Sequence, residues 1–289
     1  TPFPAMPVAL LRWRRALCLR GPRRSGGKTA GAQVNRGVMW AKANMLRVMA
    51  KAPTGWTFTN DPGRSNNSVA RDTAWFAHGS DYLVHRFTRE ALLAFVRNQE
   101  KNGEIVEYYD IRSGKTADYG LNINDNTPLL IIALFHHFNA TGDMRFLREV
   151  YPCAKKAARY ILSQRNKIGL VWCNSIGTSD WGIVGWRNVI ENYRLSGATT
   201  EVNSECYAAL RTAGEMARSL GKHGEASEFL EHAESLKTAI NAHLRNPDNG
   251  MYYLNSDVDG SKRSDVTADL VFPVMFGVAS DDDAARIIG

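Results

Sequence analysis

Acidic residues are missing from the first 60 positions of this 289-residue chain, where the first acid is Asp61. The same stretch holds eleven of the 36 lysines and arginines, which leaves 25 bases against 29 acids in the remainder. The net charge of +7 is therefore a property of the N-terminal segment, and a nucleic acid is not an expected partner of the mildly acidic body. Long apolar runs are missing too: none approaches the roughly 18 residues of a membrane span, so no membrane association is expected. Cysteine is scarce. Cys18, Cys153, Cys173 and Cys206 are too sparse for a disulfide framework and lack the Cys-x-x-Cys spacing of zinc sites, which favours a reduced, cytoplasmic setting. No HExxH, GxSxG or GxGxxG motif stands in a usable context, so neither a metal nor a cofactor is expected. The turn Asp257-Val258-Asp259-Gly260 lacks the twelfth-position glutamate of a calcium loop and reads as an ordinary turn.

Residues 1–30 differ from the rest. Arg12, Arg14, Arg15, Arg20, Arg23 and Arg24 crowd a segment rich in proline and glycine and interrupt the apolar stretch that a signal peptide needs. Gly27-Lys28-Thr29 looks like the end of a P-loop, but Pro22 stands where its first glycine belongs. This span is expected to be a disordered or atypical leader.

Beyond it, residues 31–289 read as one domain with helical periodicity. Helices are expected near 35–50 (Val38, Trp40, Met45, Leu46), over 72–87 (Trp75, Phe76, Leu83, Phe87) and from Thr88 (Leu92, Leu93, Phe95, Val96). A β-hairpin follows within 104–121, where Ile105 to Tyr109 and Ala117 to Gly120 flank a turn at Ser113-Gly114. Helices resume at Thr127-Pro128, run to Phe138 and stop at Gly142; Pro152 opens the next. Helices 200–220 and 225–244 each place their apolar residues on one face, another begins near Thr267, and the last starts at Asp282. His136 and His137 sit side by side on an apolar helix, cannot both face one metal, and read as interior or interface residues. Antiparallel helix pairs joined by short turns, with longer loops between some pairs, suit an α-hairpin toroid whose loops build a site at one end. A solenoid would show self-similar repeats of roughly 34–47 residues, and none is present.

The loops carry the chemistry. Arg71-Asp72-Thr73-Ala74-Trp75-Phe76 sets a charge pair beside two aromatics, and Asn122 to Pro128 gathers amides around Asp125. The longest loop holds Trp172, Ser179, Asp180, Trp181, Trp186, Arg187, Asn192, Tyr193 and Arg194, and Glu201 lies four residues before Glu205. Tryptophan and tyrosine stack on pyranose faces, Asp, Asn and Arg bind vicinal hydroxyls, and two carboxyls, one protonated and one ionised, flank a scissile glycosidic bond. Asp72, Asp125 and Glu201 also stand at helix starts, where capping alone accounts for a carboxylate. Asp180 has no obvious helix to cap.

Four segments carry a resemblance to the six-hairpin glycosidases, from about residue 35 to the end. Arg71-Asp72-Thr73-Ala74-Trp75-Phe76 resembles a trehalase segment of the type Trp-Asp-Ser-Tyr-Phe, with arginine in place of that tryptophan. Asn124-Asp125-Asn126-Thr127-Pro128 resembles the polar loop before an inner helix, and Glu201-Val202-Asn203 is similar to the Glu-Val/Ile-Asn segment of bacterial amylo-α-1,6-glucosidase (glycogen-debranching-like) proteins. The run from Asn139 to Pro152 resembles a common inter-helix connection of these barrels. The resemblance implies an all-α (α/α)6 toroid with a minor β-hairpin. It implies an inverting glycoside hydrolase acting on α-bonds of glucans or oligosaccharides, related more distantly to trehalases and processing α-glucosidases. Asp180 is the implied general acid, although Ser179-Asp180-Trp181 departs from the Ser-Gly-Trp-Asp or Trp-Met-Asp spelling. Arg71, Asp72, Asp125 and Glu201 are implied to hold sugar hydroxyls, with Trp75, Trp181, Trp186 and Arg187 lining the same pocket. A phosphorylase, using Arg187 and Arg194 for phosphate, and a non-catalytic sugar-binding toroid are the alternatives. The base is implied to be a glutamate far downstream, and the chain ends at Gly289, 109 residues after Asp180. The toroid is accordingly expected to be incomplete over this span, comprising its N-terminal and central part, and inactive alone.

These expectations converge on Asp180. Asp180→Asn is expected to lower turnover of a natural glycoside by several orders of magnitude while sparing a glycosyl fluoride, whose leaving group needs little protonation. Near-normal turnover of the natural glycoside refutes the assignment.

Overall fold

The computed structural model describes residues 31–53, 55–59, 65–175, 184–186 and 195–289. The expected leader and the loop residues Asp180, Trp181, Arg187 and Arg194 lie outside them. Among the described residues eight α-helices dominate: α1 (Ala32–Arg47), α2 (Ala70–Arg97), α3 (Asn126–Thr141), α4 (Met144–Ser163), α5 (Thr200–Ser219), α6 (His223–His243), α7 (Val271–Met275) and α8 (Asp281–Ile288). Three small antiparallel sheets accompany them. They are β1 (Met49–Ala52) with β2 (Gly55–Phe58), β3 (Asn67–Val69) with β4 (Tyr108–Asp110) and β5 (Thr116–Ala117), and β6 (Ala198–Thr199) with β7 (Asn255–Ser256) and β8 (Lys262–Arg263). The expected hairpin is β4–β5; the other pairings escape detection because strands of two to four residues carry too little alternation.

The helices form consecutive hairpins. Gly142, at φ 67°, closes α3 with its N–H on Phe138 O, and Asp143 opens α4 by accepting the N–H groups of Arg145 and Phe146. This cap starts α4 eight residues before the expected point, and Pro152 lies inside the helix on its exposed face. α3 packs against α2, α4 and α5, and α5 against α6 and α7. The first half of α5 is buried on every side, whereas α6 buries only a stripe at Ala226, Phe229, Ala233, Leu236, Ala239 and Ile240. That contrast marks α5 as an inner helix and α6 as an outer one.

α2 contains the two expected helices in one run, broken at Val84 (φ −142°, ψ 42°) rather than at Thr88. The Thr88 hydroxyl lies 2.7 Å from Ser80 Oγ across this kink. Beyond the break, Val84, Phe87 and Ala91 form a second small core with Met45, Leu46, Met49 and Phe58. Val38 and Trp40, expected on the apolar face of α1, are exposed. Just before the kink, buried Asp81 faces both histidines of α3, with Oδ1 2.6 Å from His137 Nδ1 and Oδ2 3.7 Å from His136 Nε2. His137 is an interior residue bound to a carboxylate on the neighbouring helix, and His136 lies at its margin. No described helix is long and apolar enough to cross a membrane.

Candidate active site

The N-termini of α2, α3 and α5 meet at one end of the helical body, and their polar side chains interlock. Arg71, in the first turn of α2, clasps Asp125 with two N–H groups: Nε donates to Oδ2 and Nη2 to Oδ1. Nη2 also donates to Gly185 O at 2.8 Å, and Gly185 N donates to Asn124 Oδ1 at 2.7 Å. Asn124 Nδ2 passes the network to Glu107 Oε1, while Glu107 Oε2 accepts the N–H groups of Tyr119 and Gly120. The rest of the Asn122 to Thr127 loop is used the same way. Asn126 and Thr127 satisfy the carbonyl and N–H of Ile105, and Asn122 Nδ2 bonds Gln164 Oε1 and Trp172 O.

At the start of α3 the carboxylate makes no side-chain cap bond. The flanking residues Val69 and Thr199 make no cap bond at α2 and α5, and Asp125 at α3 turns its carboxylate to Arg71 instead. Asp125 has no exposed surface, and both its oxygens are engaged by Arg71. Asp72 is half-buried on the first turn of α2. One turn on, Trp75 is exposed and lies against His78 and Phe272.

The start of α5 is held from both sides. Thr200 N donates to Leu254 O, and the Asn203 side chain pairs with both the N–H and the carbonyl of Val171. Cys173 and Gly197 exchange two backbone hydrogen bonds, which closes the base of the loop between them. Midway along that loop, Gly185 (φ 70°) lies so close to Glu201 that a Cβ there would stand 2.4 Å from Glu201 Oε2. The loop encoding Asp180 is thus closed at its base and anchored at residue 185 between α2, α3 and α5. Trp186 follows immediately, with its indole N–H on Asp269 Oδ1 at 2.7 Å.

Four carboxyl groups, those of Glu107, Asp125, Glu201 and Glu205, gather around one guanidinium. Burial opposes the Arg71 charge, but Asp125 outweighs it and holds the group firmly protonated. Burial, reinforced by Asp125, pushes the Glu107 carboxyl up to about 7. Burial likewise raises Glu205 well above the usual carboxylate range, with Asp125 and Glu201 adding to it. One cation cannot balance four anions in so little water, so the cluster keeps protons. Among the described residues no group of His, Cys, Asp and Glu is arranged to hold a metal ion.

Glu107, Glu205 and Asp269 were not among the site residues read from the sequence. Glu107 was open to detection: a period of two places it on the same face as Ile105 and Tyr109, both fully buried.

The family described as the bacterial alpha-L-rhamnosidase six-hairpin glycosidase domain matches residues 69–287. Among solved structures, a GH78 family rhamnosidase of Bacillus sp. GL1 aligns with a TM-score of 0.67 at 21% identity, over 81% of this chain and 23% of that one. A rhamnosidase from Klebsiella oxytoca with rhamnose bound aligns at 0.64 and 17% identity, over 80% of this chain and 42% of that one. A GH63 mannosylglycerate hydrolase from Thermus thermophilus in complex with glucose aligns at 0.67 and 14% identity, over 85% and 73%. At such identities the likeness is one of fold. The chain spans less than half the length of either rhamnosidase. No curated protein matches it.

Two measurements test this geometry. Gly185→Ala combines a left-handed backbone with a clash against Glu201, so urea denaturation is expected to show a loss of about 2 kcal/mol. An unchanged midpoint overturns both the left-handed backbone at residue 185 and its close approach to Glu201. The raised Glu107 carboxyl stabilises the fold fully below its ordinary 4.5 and ceases to as pH rises through about 7. Between those values the wild type is expected to lose up to about 3 kcal/mol relative to Glu107→Gln, which has no proton to release. A pH-independent difference overturns that assignment.

Proposed function

The chain belongs to the bacterial alpha-L-rhamnosidase six-hairpin glycosidase domain family, and on that premise we propose that it forms part of the catalytic domain of a glycoside hydrolase. The substrate is an oligosaccharide or polysaccharide with an α-glycosidic bond, cleaved with inversion of the anomeric centre. The observation that carries this reading is the junction at Gly185, where the loop encoding Asp180 and Trp186 meets Arg71 and Glu201. Asp180, five positions before Gly185, protonates the departing oxygen. Arg71, Asp72 and Glu201 hold hydroxyls of the terminal sugar, with Asp125 fixing Arg71. Trp75, Trp181 and Trp186 stack on sugar faces, and Arg187 lines the pocket.

The sugar is either an α-L-rhamnosyl unit, as the family description names, or an α-glucosyl unit, as the Glu201-Val202-Asn203 segment suggests through its similarity to debranching-like proteins. The deciding experiment offers the full-length gene product aryl α-L-rhamnosides, aryl α-glucosides, malto-oligosaccharides, isomaltose and trehalose, and follows the released sugar by NMR. Release of a monosaccharide that first appears as the β-anomer is expected. Release as the α-anomer overturns inversion, and a requirement for inorganic phosphate identifies a phosphorylase. Sugar binding without release from any α-glycoside overturns the hydrolase in favour of a binding toroid.

A further inference from the structure

Trp186 and Trp75 are exposed tryptophans, at 41% and 38%, and both are attached to one short segment, residues 267–276. Trp75 on α2 lies 6.5 Å from Phe272, which stacks in turn on Phe276. Trp186 is fixed differently. Its indole N–H, a donor with no acceptor capacity, bonds Asp269 Oδ1 at 2.7 Å. Asp269 is only 2% exposed, and its other oxygen accepts the Thr267 hydroxyl at 2.7 Å. Thr267 in turn caps the 3-10 turn Ala268–Leu270 that leads into α7. Asp269 is therefore an oriented acceptor that does not itself present a surface to solvent. Gly185, bonded to Arg71 and Asn124 and set against Glu201, fixes the backbone one residue before Trp186. At residue 186 the bond to Asp269 fixes the indole N–H on a buried acceptor while the ring stays partly exposed.

We propose that Asp269 is a positioning residue that holds the Trp186 ring as a preformed stacking surface for a pyranose unit of the substrate. The inference rests on the glycoside-binding reading given above and adds a residue that determines affinity for the sugar chain. Holding the ring before the sugar arrives removes the cost of ordering a large side chain on binding. Asp269 acts through Trp186 and touches neither the sugar nor the scissile bond.

The test compares Asp269→Ala, Asp269→Asn, Trp186→Ala and the double variant Trp186→Ala/Asp269→Ala. Each is titrated with L-rhamnose and with maltotriose by calorimetry and assayed on whichever α-glycoside the wild type hydrolyses. Loss of one charge-assisted hydrogen bond is expected to weaken sugar binding and raise KM about tenfold in Asp269→Ala, with kcat little changed. Asp269→Asn should restore both, because its amide oxygen still accepts the indole N–H and its amide nitrogen can donate to Thr267. The double variant should bind no worse than Trp186→Ala. Unchanged binding in Asp269→Ala, a fall in kcat alone, or additive losses in the double variant overturns the proposal. If Asp269→Ala melts early, failure of Asp269→Asn to recover binding at wild-type thermal stability overturns it equally. Because calorimetry needs no turnover, sugar binding that depends on Asp269 upholds the inference even if hydrolysis is not found.

Discussion

The ion pair between Arg71 and Asp125 is the constraint on which the site depends. A carboxylate with no exposed surface has given up its water, and the desolvation of two such charges offsets most of their attraction. The pair therefore adds little net stability compared with an apolar contact of the same volume. Removing one partner is another matter, since an unpaired buried charge costs about 3–5 kcal/mol. Such an arrangement selects position rather than stability: α2 and α3 meet with their first turns level. The guanidinium still has an N–H to spend, and it spends it on the carbonyl of Gly185. One side chain thus ties two helices and a loop.

Around that pair the electrostatics are deliberately unbalanced. Glu107, Glu201 and Glu205 share the neighbourhood of a carboxylate already neutralised by Arg71. The response is protonation of the most enclosed groups, with Glu107 close to neutral pH and Glu205 well above its ordinary range. The first two turns of α5 contribute two of these acids, four positions apart and so on the same face of the helix. The raised carboxyls lie in the same neighbourhood as Gly185, which Arg71 also bonds.

The helical hairpins were legible because long periodic segments state their type in their apolar spacing. Gly142-Asp143 shows how a boundary is read correctly: a left-handed stop is followed at once by a capping acid. Pro152 misled because its missing N–H suits a helix start, yet an exposed position inside a helix already capped at Asp143 tolerates it. Of the site, Arg71, Asp125 and Glu201 were legible from unusual polarity at helix starts, and the structure brings them together. Their division of labour was not legible, since only three-dimensional placement reveals that both Asp125 oxygens are taken by a residue 54 positions away. Asp269 stayed hidden for a related reason: Thr267-Ala268-Asp269 is an ordinary turn spelling, and its meaning lies in an indole 83 residues distant.

The anchoring of Gly185 has a consequence for how this fold can be diversified. Its N–H, its carbonyl and its α-carbon are each committed to a different helix start, and no side chain takes part. Gly185 therefore divides the sequence between Cys173 and Gly197 into two arms that share one fixed point. Each arm can be exchanged, lengthened or randomised as a separate cassette, provided that a glycine returns to that point. A library that varies one arm at a time should keep its register on the scaffold, whereas one that shifts the glycine by a single residue loses the docking of both.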